Sequence, residues 1–348
     1  MGCWSHGCIV WPNRANPSSR AAIDSRLKKR LRQRFAESRS RGNQSANPSG
    51  ANHVYESNQE PLPEGDASVV FADQLAELKR QANDIDDAST LASENVTPES
   101  VVRWGNQNRQ VIAGLCRRLL LPGSKIAGLA NLRALVRYAQ DDKACLLCLN
   151  HRSNLDVPTL DALLTDHGEA RLFDSLIWIA GRTLDEDTDV TRMLVQCFNR
   201  VVVTPHRWFH SGRTEAEVHE AKTINLAAER ALARLRHQGW VCALFPAGTR
   251  ARPDDASTKQ AIAETDSYLR MFDYLLLCHI DGCTLPVSRS QDFAHEVPKL
   301  DRVVFTFGSV RPTDQWRAEM AAKYPELDQR EASARGISEE IESLASRD

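Results

Sequence analysis

The sequence contains the run Asn150-His151-Arg152-Ser153-Asn154-Leu155-Asp156. An imidazole ionises near pH 6.5, so at working pH it can take a proton from a hydroxyl. A carboxylate bonded to its Nδ1–H would fix the tautomer, leave Nε2 as the base and stabilise the imidazolium that forms. No serine of a G-x-S-x-G elbow is present to serve as nucleophile, so the attacking hydroxyl would come from a substrate. Of the ten histidines, His151 alone has an Asp five positions on. The plainer reading, a His and an Asp that satisfy a loop and a helix end, stands beside it.

The elements that must position this pair are a strand, a turn and a helix. Ala144 to Leu149 is a short apolar run of the buried-strand kind, and Asn150 to Asn154 is a polar turn. A helix should start near Asp156, capped by Ser153 or Asn154, with Pro158 in its first turn and Leu160, Leu163 and Leu164 on one face. His151 then lies at the carboxyl end of a strand, with Asp156 able to fold back onto it. Further strand-like runs are Leu176 to Ala180, Val201 to Val203, Val241 to Phe245, Leu275 to Ile280 and Val303 to Phe307. Thr188 to Cys197 and Glu215 to His237 read as helices between them. The alternation predicts an α/β fold with a mixed, largely parallel sheet flanked by helices.

Ligands of such sheets bind at the carboxyl ends of the strands. Basic groups follow three of them: Arg182, the pair His206-Arg207, and Arg250 with Arg252 in Phe245-Pro246-Ala247-Gly248-Thr249-Arg250-Ala251-Arg252-Pro253. Gly248 permits a tight turn, and a guanidinium fork donates in parallel to two phosphate oxygens. One such Arg reads as an exposed loop residue. The repeated placement predicts a phosphate pocket.

The chain has 348 residues, 42% of them apolar, enough for a full α/β core with extra segments. Its net charge of -2 gives no reason to expect nucleic acid as a partner. No apolar run reaches the roughly 18 residues of a membrane span. Nine cysteines sit mostly inside apolar runs, which suits a reducing, cytoplasmic setting better than a disulfide framework, and no metal site is expected. Cys145 and Cys148 have half the spacing of a zinc site, but both fall inside the proposed strand. Three regions are expected: a disordered basic tail over 1–66, a helical region over 67–140 and the α/β domain over 141–348. In the tail, Ile23, Leu27, Leu31 and Phe35 recur every four residues among Arg and Lys, a stripe suited to an anionic membrane surface, a solvated tail or an organellar targeting segment. Leu115, Leu119 and Leu120 would pack on the core or lie on lipid, with the core favoured.

The two blocks, Asn150 to Asp156 and Phe245 to Arg250, resemble in order and separation the glycerolipid acyltransferase superfamily, over about residues 115 to 311. The resemblance is nearest to the soluble, plastid-type glycerol-3-phosphate acyltransferases. Those also carry a basic pair matched by His206 and Arg207 and an Arg-x-Arg-Pro-Asp run matched by Arg250, Arg252, Pro253 and Asp254. Ala247 stands where lysophosphatidate enzymes usually have Glu, and His206-Arg207 where the soluble type tends to have Lys-His.

The resemblance implies acyl transfer from a thioester, acyl-CoA or acyl carrier protein, to a hydroxyl of glycerol 3-phosphate in phospholipid synthesis. It implies His151 as base, Asp156 orienting it, and Arg182, His206, Arg207, Gly248, Thr249, Arg250 and Arg252 around the phosphate. No cofactor beyond the acyl co-substrate is implied. The 1-acyl form of glycerol 3-phosphate as acceptor, and a non-catalytic membrane-surface lipid-binding protein, are the alternatives. A thioesterase would use the same His with water, but water needs no phosphate pocket. A kinase reading fails because Ser153 stands where the catalytic Asp should follow His151-Arg152.

Overall fold

Apolar runs become the strands of one sheet, and the periodic segments between them become helices that cover it. The computed structural model describes residues 96–105, 108–182, 194–205, 208–209, 212–288 and 296–345. In chain order these form β1 (Val102–Arg103), α1 (Arg109–Leu119), β2 (Lys125–Ala127), α2 (Leu129–Gln140), β3 (Cys145–Leu149), α3 (Asp156–Asp166), α4 (Ala170–Asp174), β4 (Leu176–Gly181), β5 (Arg200–Val203), α5 (Glu215–Leu235), β6 (Val241–Leu244), α6 (Thr265–Leu269), β7 (Tyr274–Asp281), β8 (Val304–Phe307), β9 (Arg311–Pro312), α7 (Thr313–Lys323) and α8 (Gln329–Ser343). The tail over 1–66, with its Ile23-to-Phe35 stripe, lies outside the described residues, as does most of the helix expected over Thr188–Cys197.

The nine strands run in the order β1-β5-β4-β6-β3-β7-β8-β2, with β9 pairing β7. The pairs β5–β4, β4–β6, β6–β3, β3–β7 and β8–β2 are parallel; β1–β5, β7–β8 and β7–β9 are antiparallel. The sheet is therefore mixed and largely parallel, as the alternation of elements predicts. Side chains leave successive strand residues on opposite faces, and a parallel sheet buried on both faces reads as a continuous apolar run. β3 shows this directly: Cys145, Leu147 and Leu149 enter one hydrophobic cluster, Leu146 and Cys148 the other. Cys145 and Cys148 thus point to opposite faces and cannot share a metal ion.

The first face is covered by α1, α2 and α3, the second by α5, α7 and α8. Leu115 and Leu119 of α1 are buried in the first cluster, which settles their packing on the core. On α5, Ile224, Ala228, Ala231, Leu232 and Leu235 repeat at helical spacing into the second cluster. Its start is fixed by a capping box, Thr214 accepting from the Glu217 N–H and Glu217 from the Thr214 N–H. Part of the expected helical region joins the sheet instead, as β1 and β2. At two and three residues, these strands are too short to show an alternating pattern.

After β3 the chain builds β4, β5 and β6 on one side and β7 and β8 on the other. The carboxyl end of β3 is therefore the point where the winding reverses, the position where open α/β sheets form their binding crevice.

Candidate active site

The site grows out of the end of β3. Asn150 leaves the strand, and its amide brackets the backbone of the neighbouring strand, Oδ1 accepting from the Ile280 N–H at 2.6 Å and Nδ2 donating to the Ile280 carbonyl at 3.0 Å. That double bond continues the ladder by one side chain and fixes where the turn begins. The turn then wraps around one carboxylate oxygen. Asp156 Oδ2 lies 2.8 Å from His151 Nδ1 and accepts the backbone N–H groups of Arg152 at 2.7 Å and Ser153 at 3.0 Å.

This differs from the expected cap. Leu155 occupies the N-cap position without a side-chain cap bond, and Ser153 Oγ instead accepts from the Leu155 N–H at 2.9 Å. Asp156 itself, first residue of α3, satisfies the turn's donors from inside the helix, where a negative charge also suits the helix dipole. Nor is α3 one-sided: every residue from Asp156 to Leu164 is buried, as befits a helix held inside the fold. Arg109 of α1 grips it through a two-oxygen pair to the buried Asp161, at 2.6 and 2.5 Å.

His151 is thus held at Nδ1, while among the described residues its Nε2 makes no hydrogen bond. The ring lies flat on Phe245, with centroids 3.8 Å apart and planes 8° apart, and Trp178 stacks beyond Phe245 at 5.3 Å. Phe245 is the first residue after β6, the strand beside β3, so adjacency in the sheet brings the two sequence blocks into contact. The Ala251 N–H donates to the His151 carbonyl at 2.7 Å, tying the arginine loop to the His151 turn. Inside that loop the Gly248 N–H closes on the Phe245 carbonyl at 2.9 Å, and Gly248 has φ 64°, the left-handed conformation that glycine adopts without strain.

Arg250 sits at the foot of this loop, half-buried, and its Nη1 pairs with Oε1 of Glu296, whose side chain has no solvent exposure. Arg252 donates its backbone N–H to Thr258 Oγ1 at 2.8 Å. Thr249 is half-buried in the same turn. Arg182 directly follows β4, two strands from β3, and its guanidinium stacks over Trp208 at 5.2 Å. Arg213 lies over the same indole at 4.7 Å. His206 and Arg207 lie outside the described residues. Of the proposed groups, the structure brings His151, Asp156 and the Gly248–Arg250 loop into one hydrogen-bonded unit; Arg182 lies farther along the same sheet edge.

Residues 125–278 match the protein-family model described as Acyltransferase. The matched span contains both the His151–Asp156 turn and the Arg250 loop, which supports acyl transfer as the reaction class and the glycerolipid acyltransferase superfamily as its setting. No curated protein matches the chain.

The thiol beside the His151 turn is a poor nucleophile. Cys283, which approaches the Arg152 carbonyl at 3.6 Å, has its thiol pushed up to about 11 by burial, so little thiolate exists near neutral pH. His279 on β7 is 1% exposed, and burial together with the Arg152 charge holds it below the usual histidine range. It is a neutral core imidazole at neutral pH. Among the described residues no group of three His, Cys, Asp or Glu could hold a metal ion, and no helix is long and apolar enough to cross a membrane.

Four contributors have weak or no signal in the sequence. Asn150 and Phe245 are the first residues of the two blocks, but nothing in their spacing gives their roles. Glu296 and Trp208 carry no local pattern, since each acts through a contact made across the sheet.

Proposed function

We propose that the protein transfers an acyl group from a thioester to a hydroxyl of glycerol 3-phosphate. The observation that carries this reading is the His151 ring, held at Nδ1 by a carboxylate with its Nε2 open, hydrogen-bonded through its backbone to a loop carrying Arg250. Nε2 removes the proton from the acceptor hydroxyl as its oxygen attacks the thioester carbonyl carbon. The carbon–sulfur bond then breaks, and the imidazolium returns the proton to the leaving sulfur, giving a free thiol and an acyl ester. Asp156 stabilises the imidazolium between these steps.

The acceptor phosphate is assigned to Arg250, with Gly248 and Thr249 shaping the loop and Arg252, Arg182, His206 and Arg207 as further contacts. Holding the phosphate fixes the hydroxyl against Nε2, and such orientation supplies a large part of the rate enhancement in two-substrate reactions. The resemblance to the soluble, plastid-type enzymes favours glycerol 3-phosphate over its 1-acyl form. A panel crossing both acceptors with acyl-CoA and acyl carrier protein donors, with the ester product identified by mass spectrometry, tests the assignment. Acylated glycerol 3-phosphate is the expected product. Hydrolysis of the thioester at the same rate with and without acceptor would replace this reading with a thioesterase.

A further inference from the structure

The ion pair between Arg250 and Glu296 joins two loops that do not neighbour one another. Arg250 follows β6 and Glu296 lies beyond β7, and in the sheet β3 stands between them. The pair therefore ties the loop after β6 to the connection between β7 and β8, strands that lie on either side of β3 in the sheet. The segment bearing Glu296 is pinned at its far end. The Lys299 N–H donates to the Thr284 carbonyl at 2.8 Å, and Asp301 accepts the Cys283 N–H at 2.9 Å. Between these anchors and the pair the chain turns outward, leaving Val297 65% exposed beside a Glu296 side chain that is fully enclosed.

An apolar pair of equal volume would serve stability as well as a buried ion pair does, so the pair calls for a reason other than stability. Its geometry supplies one. Glu296 takes Nη1 of Arg250, and among the described residues Nη2 and Nε of Arg250 make no hydrogen bond. The guanidinium, with 19% of its side chain exposed, keeps a two-nitrogen edge, the arrangement that meets two oxygens of a phosphate in parallel.

We infer that Glu296 is a positioning residue for the acceptor: it holds Nη1 of Arg250 so that the remaining guanidinium edge presents to the acceptor phosphate. This rests on the assignment of Arg250 to that phosphate. Calorimetric binding of glycerol 3-phosphate to the full-length protein, together with KM for acceptor and for acyl-CoA, tests it in Glu296→Gln, Glu296→Ala, Arg250→Ala and the double variant Arg250→Ala/Glu296→Gln. Glu296→Ala should weaken glycerol 3-phosphate about 10-fold, the scale of one misaligned charge-assisted contact. Glu296→Gln, which preserves volume and one accepting oxygen, should weaken it less and carries the test if the Ala variant does not fold. The acyl-CoA KM should stay within about twofold in both, and in the Arg250→Ala background Glu296→Gln should add nothing, since a residue acting only through another loses its effect when that partner is gone. Glu296 variants that melt earlier but bind glycerol 3-phosphate as the wild type does would overturn the inference and leave the Arg250 assignment standing. Tighter binding would also overturn it, marking Glu296 as a competitor of the phosphate. If Arg250→Ala itself leaves glycerol 3-phosphate binding unchanged, the Arg250 assignment and this inference fail together.

Discussion

The turn at the end of β3 and the loop at the end of β6 are both built at a strand terminus, yet they are finished in different ways. Around His151 the protein closes its own hydrogen bonds: three donors converge on Asp156 Oδ2, and Asn150 locks the turn to Ile280. One ring nitrogen is left over, and it is the one the proposed chemistry needs. In the β6 loop the backbone is closed by Gly248 and Ala251, but the cation is half engaged, one nitrogen on Glu296 and one edge open. A general base gains from full preorganisation, because any freedom in the imidazole is loss of aim. A phosphate ligand must keep unspent donors.

The sharpest way to break this comparison is at the closed turn. His151→Ala should lower kcat by about 10²–10⁴, the usual cost of a lost general base, while leaving acceptor binding intact. Near-wild-type turnover by a folded variant would remove His151 from the chemistry. Asp156→Asn should fall in the same range, and it should also lower the unfolding free energy by about 1–3 kcal/mol, because the turn's N–H donors lose a charged acceptor. Circular dichroism melts alongside kcat separate the two losses.

At the open loop the effects should be smaller and of another kind. Arg250→Ala removes a charge-assisted contact worth about 1.5–3 kcal/mol, roughly 10- to 150-fold in acceptor KM, with the thioester KM nearly unchanged. Arg250→Lys should recover only part, since a point charge has no two-nitrogen edge. A rise in thioester KM alone would assign Arg250 to the donor's phosphates and reverse the site. Gly248→Ala meets only Ile262 at an ordinary 3.6 Å, so its cost is the left-handed φ, about 1–2 kcal/mol, read as a lower urea midpoint.

Much of this is legible in the sequence. Six strands, β3 to β8, stand out as apolar runs, and the five-residue step from His151 to Asp156 can be placed across a strand–turn–helix because each element has its own local signal. The N-cap departs from the expectation because Ser and Asn are the usual caps, whereas here the carboxylate bonded to the histidine also satisfies the turn from the first helical position. Glu296 had no signal at all: it stands 46 positions from Arg250, in a segment without periodicity, and only the β6-β3-β7 order brings them together. β1, β2 and β9 escaped notice because strands of two or three residues carry no pattern.

A finer effect concerns His279, which lies behind the turn near Arg152, Glu342 and Asp281. Its native pKa is lowered from 6.5, so below that pH the unfolded chain binds a proton that the native protein refuses, and stability falls as the pH drops through this window. His279→Leu should flatten that acid limb by up to about 1.4 kcal/mol per pH unit. Urea midpoints at pH 7 and pH 5 show it, and an unchanged slope would mean that His279 titrates normally.

The most direct test of the account is thiol release from an acyl-CoA by the purified full-length protein, followed with and without glycerol 3-phosphate. The account predicts release that depends on glycerol 3-phosphate and matches, mole for mole, the acylated glycerol phosphate formed, with both signals lost in His151→Ala. Release that proceeds equally without the acceptor, or that survives in a folded His151→Ala variant, would contradict it.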